Sequence, residues 1–94
     1  MKVQIESIFP SSESPRYLFG KIGKKSTDEY VVFSPMDNGS DFCFDLNDIV
    51  KFVKVSQGPV EAINQTKNKT ALVGIHDICI NKDVIRVRYD AQFP

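Results

Sequence analysis

Val3, Ile5, Ile8 and Phe9 are set apart by Gln4 and Glu6, the period-two pattern of a strand with one buried face. Pro10-Ser11-Ser12-Glu13-Ser14-Pro15 follows, small polar residues between two prolines, and reads as a loop. Tyr17-Leu18-Phe19-Gly20-Lys21-Ile22 predicts a second strand and Glu29-Tyr30-Val31-Val32-Phe33 a third, with Gly23 to Asp28 as the hairpin loop between them. Asp37-Asn38-Gly39-Ser40 then separates Tyr30–Phe33 from Phe42-Cys43-Phe44. Asn-Gly supplies the positive φ values of a tight turn, so a hairpin is expected here.

The next segment, Asp45 to Val55, admits two readings. Leu46, Ile49, Val50 and Val53 fit one helical face with Asp45 as N-cap, whereas Phe52 and Val55 do not. Val, Ile and Phe dominate, which favours a short turn through Leu46 to Asp48 and then a strand. Gln57-Gly58-Pro59 ends that element, Val60–Asn64 fits either a short strand or one helical turn, and Asn64 to Thr70 is polar loop. A terminal hairpin is expected, from Thr70–Ile75 through Ile78–Ile80, a turn at Asn81-Lys82-Asp83, and a strand Val84–Tyr89. In that strand Ile85 and Val87 would share one face and Arg86 and Arg88 the other. Short strands at regular spacing with no long helical pattern imply a small all-β barrel or sandwich.

Composition narrows the picture. Ninety-four residues, 41% apolar and 26% charged, make one domain spanning 1–94 with enough core to fold unaided. Twelve basic and twelve acidic residues cancel, which removes the long-range field of a dedicated duplex-DNA binder. No apolar run reaches signal-peptide length or the ~20 residues needed to cross a bilayer, so a cytoplasmic protein without membrane contact is expected. Cys43 and Cys79 then read as reduced, core-facing small hydrophobes, and the Asn-x-Ser/Thr triplets at Asn38, Asn64 and Asn68 as turn chemistry.

Catalytic constellations are not legible. His76 is the single histidine, and Cys43 and Cys79 lack metal or dithiol spacing. The stretch Gly20 to Ser26 fails the phosphate-loop pattern, because Lys25 stands where a hydroxyl is needed and Leu18 where the first glycine is needed. Asp37 to Asp41 is too short for a calcium loop. A non-enzymatic protein without cofactor or metal is expected. Charge placement says more. Arg16, Lys21, Lys24 and Lys25 form a basic run without an intervening acid, and Asp28, Glu29, Asp37, Asp41, Asp45 and Asp48 follow without a base until Lys51. Such striping steers a partner, or keeps solvated strand edges apart.

From Gly20 to Lys67 the order of features resembles a cold-shock domain. Gly20-Lys21-Ile22 is similar to its opening strand and Tyr30-Val31-Val32-Phe33-Ser34-Pro35 to its first aromatic motif. Asp37 to Phe44 resembles the turn and second motif, and Val50-Lys51-Phe52 with Gly58 to Asn64 the closing strands. The resemblance implies an oligonucleotide-binding barrel that stacks single-stranded bases on surface aromatics. Lys24 and Lys25 stand near the family's Trp and Phe, and Cys43 and Asp45 where it presents Phe and His, so Tyr30 alone keeps a platform ring. At least two of Phe42, Phe44 and Phe52 are expected in the core.

The expected fold is therefore an all-β, five- to seven-stranded antiparallel barrel of the oligonucleotide-binding (cold-shock-like) or SH3-like kind, with an added C-terminal hairpin. Two functions compete. One is weak single-stranded nucleic-acid binding, with Arg16, Lys21, Lys24 and Lys25 on phosphates and Tyr17 and Tyr30 on bases. The other is a protein-interaction module or small inhibitor, whose stripe Asp28, Glu29, Asp37, Asp41, Asp45 and Asp48 faces a basic partner and whose exposed strand edge adds to another sheet, a homodimer being its simplest form.

Overall fold

The computed structural model describes residues 1–9, 17–23, 29–36, 44–54 and 56–89. Among these residues six strands and one helix follow in chain order: β1 Lys2–Phe9, β2 Tyr17–Ile22, β3 Glu29–Pro35, β4 Ile49–Phe52, β5 Gly58–Asn64, β6 Lys69–Asn81 and α1 Lys82–Tyr89. The strands close an antiparallel barrel in the order β1-β2-β3-β6-β5-β4, with β4 returning to β1. Closure depends on two long strands. β1 pairs with β2 from Val3 to Phe9 and with β4 from Lys2 to Gln4. β6 pairs with β5 through Lys69–Ile75 and with β3 through Val73–Asn81.

Val3, Ile5, Leu18, Val31, Phe33, Val50, Phe52, Val60, Ala62, Val73 and Ile75 fill the interior, with Phe44 from the connection ahead of β4. Phe33 meets Phe44 and Phe52 edge to face, at ring separations of 5.7 and 5.1 Å, the arrangement aromatic quadrupoles favour. A second, outer cluster holds Phe19, Tyr30, Val32 and Ile85. Thus the unbroken apolar runs of β2 and β3 are buried on both sides, by the barrel lumen within and by α1 without. At Gly20 the Val3 side chain of β1 leaves no room for a side chain: a Cβ there would lie 2.4 Å from Cγ2 of Val3.

The strands expected at β1, β2 and β3 are present, as is the turn through Leu46 before β4; Val60–Asn64 resolves as strand. Phe44 and Phe52 are core, and Phe42 lies outside the described residues, as do the Pro10–Pro15 loop, Lys24 to Asp28 and the Asn38-Gly39 turn. The hairpin expected around that turn is corrected in part. From Tyr30 to Phe33 both edges of β3 are taken, by β2 and β6, and Phe44 belongs to no strand.

The C-terminal hairpin is also corrected. β6 runs as one strand through Asn81, and Val84–Tyr89, expected as strand, lies within a helix. Asn81 accepts the Val84 N–H on Oδ1 at 2.9 Å, satisfying one of the free donors of the first turn. Asp83 sits in the first turn and Arg86 and Arg88 in the last, complementing the helix dipole. Ile85 is fully buried while Val87 is 87% exposed, so two residues that would share a strand face lie on opposite sides of a helix. Cys79 is likewise not in the core. It is exposed and free, at φ 59°, where β6 bulges against β3; Cys43 lies outside the described residues.

Candidate nucleic-acid interface

The alternation of β2 and β3 sorts their side chains. Leu18 joins the lumen and Phe19 the outer cluster, with Tyr17 packed beside it; on β3, Val31 and Phe33 point inward, and Tyr30 and Val32 outward. α1 lies over the middle of this outer face and leaves a rim. There Tyr17, half-buried, places its ring 5.2 Å from that of His76 at 65° and 5.0 Å from that of Tyr89. His76 is exposed, with Nε2 2.9 Å from Oγ of Ser34, and its carbonyl accepts from the Gln57 amide at 3.1 Å.

Asp77 ties α1 to the barrel at the same rim. It accepts from the Tyr89 hydroxyl on Oδ2 and from Arg88 Nη1 on Oδ1 at 2.6 Å. Burial first, and then the neighbouring Asp77 carboxylate, push the Tyr89 phenol far above its ordinary range, so it stays a neutral donor. Arg88 keeps half of its side chain in solvent. Three rings and a guanidinium thus adjoin on one rim, a composition suited to planar bases and phosphates.

The residues singled out from sequence meet different fates. Tyr17 is on the rim. Lys21 is half-buried on the same outer face, 4.0 Å from Glu6. Tyr30 is not a surface platform: it is fully buried in the outer cluster with Ile85, and its hydroxyl donates to Glu6 at 2.7 Å. Arg16, Lys24, Lys25, Asp28, Asp37 and Asp41 lie outside the described residues. Glu29 is half-buried and accepts from the Cys79 thiol; burial and then this carboxylate push that thiol up.

Two members of the acidic stripe already have partners within the chain. Asp45 is exposed but paired with Lys67. Asp48 is buried, accepting from Asn64 Nδ2 at 2.7 Å and the Asp45 N–H at 2.9 Å, with Lys67 Nζ at 3.5 Å. It holds the turn before β4 against the β5–β6 connection and presents nothing to a partner. Each described strand of the barrel has a neighbour on both sides, but only along part of its length: among the described residues, 7–9 of β1 pair with β2 alone and 77–81 of β6 with β3 alone.

Sequence reasoning missed Ser34, Asp77, Arg88 and Tyr89 as rim residues, and read His76 only as a solvated or hydrogen-bonded structural histidine. The available signal was Asn81-Lys82-Asp83, a cap and an acidic first turn ahead of Ile85 and Tyr89 at helical spacing. Beside His76, Asp77 turns its two carboxylate oxygens to Tyr89 and Arg88. No group of three or more His, Cys, Asp or Glu suited to a metal occurs among the described residues. Among the described residues, no helix is long and apolar enough to cross a membrane. No protein-family model, curated protein or solved structure matches the chain.

Proposed function

We propose that this barrel is a non-enzymatic module that binds single-stranded nucleic acid weakly, along the rim formed by Tyr17, His76, Tyr89 and Arg88. The observation that carries the reading is the contact of Tyr17 with His76 and Tyr89 beside the half-exposed Arg88. Rings accept any base by stacking, worth about 1–3 kcal/mol per base, while cations follow the phosphates. Arg16 adjoins Tyr17 in the chain, and Lys21, Lys24 and Lys25 extend the basic run. With zero net charge, affinity rests on local contacts and falls with salt. A cytoplasmic setting belongs to the same proposal. A basic protein partner draws less support, because Asp48 is buried and Asp45 is paired.

Fluorescence anisotropy of a labelled mixed-sequence strand, RNA and DNA separately, tests the reading. Saturable binding at low salt that weakens at moderate salt is expected, with a further loss in Tyr17→Ala and in a Lys24→Glu, Lys25→Glu double variant. Absence of binding at low salt, or unchanged affinity in both variants, overturns it.

A further inference from the structure

We infer that the seam between β1 and β4 carries a nucleotide subsite, in which Lys2 and Lys51 hold phosphate and a cavity at the adjoining ends of β1 and β2 takes the attached base. The inference rests on the nucleic-acid reading above and carries the bound strand to residues away from the rim. In the β1–β4 ladder Lys2 stands directly opposite Lys51, one step from the Val3–Val50 pair. Val3 and Val50 are buried in the lumen, so alternation turns both lysines outward, where both are exposed. Side chains opposed in this way have Cβ atoms only about 4.5–5.5 Å apart, and like charges so placed repel.

The pair has no counter-charge of its own. Among the described residues no carboxylate lies within ion-pair distance of Lys2 or Lys51. On the neighbouring outward positions Glu6 lies 4.0 Å from Lys21, and Glu61 stands opposite Leu72. A phosphate seated between the two ammonium groups accepts from both and cancels their repulsion.

Two further features favour a nucleotide over a free ion. Beside Lys2, a cavity of about 340 Å³ is lined by Met1, Lys2, Ile22 and Gly23, apolar side chains with one cation, the composition of a small-ligand site. On the next strand Lys21 faces Gln4, so Lys21, Lys2 and Lys51 form a row of cations across β2, β1 and β4. That row begins on the strand that carries Tyr17, and so joins the subsite to the rim.

Anisotropy of the labelled mixed-sequence strand with the full chain, read across a salt series, tests the two halves separately. In a Lys2→Gln, Lys51→Gln double variant affinity is expected to fall, and the slope of log affinity against log salt to flatten by about 0.7–1.4, one or two phosphate contacts on a single strand. Lys2→Arg, Lys51→Arg keeps the charge and is expected to keep the slope, as is Lys69→Gln, an exposed lysine on β6. Gly23 has open space where a Cβ would lie, so Gly23→Leu fills the cavity without a clash. It is expected to weaken binding about ten-fold, the order of one lost base contact, with the slope kept. Denaturant melts check the fold, since the Gln double variant loses a repulsion and is expected to be no less stable than wild type.

An unchanged slope in the Gln double variant while wild type binds overturns the subsite and leaves the rim reading standing. Equal flattening in Lys69→Gln does the same, as does full affinity in Gly23→Leu. Absence of binding by wild type at low salt overturns both.

Discussion

Asp48 shows how one side chain fixes a junction. Burial pushes its carboxyl up, yet the Asn64 amide, the Asp45 N–H and the Lys67 ammonium together hold it below the ordinary 3.8. A carboxyl lowered on folding adds stability above its unfolded pKa, and that stability is lost as pH falls through the folded value. Asp48→Asn is therefore expected to cost about 1–3 kcal/mol at pH 7, as for a buried bond left imperfect. The same variant should lose less stability than wild type between pH 6 and pH 3. Urea melts at the two pH values check this, and equal losses would remove Asp48 from the acid transition. Gly20 is governed by space instead of charge. The Cβ of Gly20→Ala would press on the branched Val3 side chain, and overpacking of this kind costs about 1–3 kcal/mol in the same melts.

Among elements, α1 carries the sharpest test. Ile85 and Val87, two positions apart, would behave alike on a strand; on this helix one is buried and the other bare. Ile85→Ala is expected to cost about 2–5 kcal/mol and Val87→Ala to stay within about 0.5 kcal/mol, read by denaturant melts of each. Similar costs would point to a strand. The helix was illegible because Val84, Ile85 and Val87 carry strand preference, and what overrides it is tertiary: the Asn81 cap and a face of β2 and β3 waiting to be covered. That demand was present in the chain, since Tyr17–Phe19 and Tyr30–Phe33 are apolar without a break and strands wet on one side alternate. β1, β2 and β3 were readable because local pattern decides them. The burial of Tyr30 was not, because it depends on a residue 55 positions later, Ile85. At the site, Tyr17 was found by its place beside Arg16, whereas His76 and Tyr89 meet it only through the closing of β6 on β3.

The whole molecule is a ring of strands with opposite charges balanced, and both properties bear on association. A closed barrel leaves little strand edge to template another sheet. Sedimentation or light scattering at high protein concentration and moderate salt is expected to return the monomer mass of 10.6 kDa. A concentration-dependent dimer would show that another surface, such as the bare Val87 side of α1, mediates self-contact. Balanced charge also makes the molecule least soluble near its pI of about 6.5.

The closing of β6 on β3 also sets an order in time. Tyr30 pairs with Ile80, so the ring is not complete until β6 has been synthesised. Until then one edge of β3 has no partner, and its apolar residues lack both lumen and helix. A nascent chain held on the ribosome short of β6 is an open sheet with a sticky margin, the kind of species that chaperones shield. With so many distant pairings to form, refolding belongs in the millisecond-to-second range of barrels, and β6 is the strand whose arrival ends the period of risk.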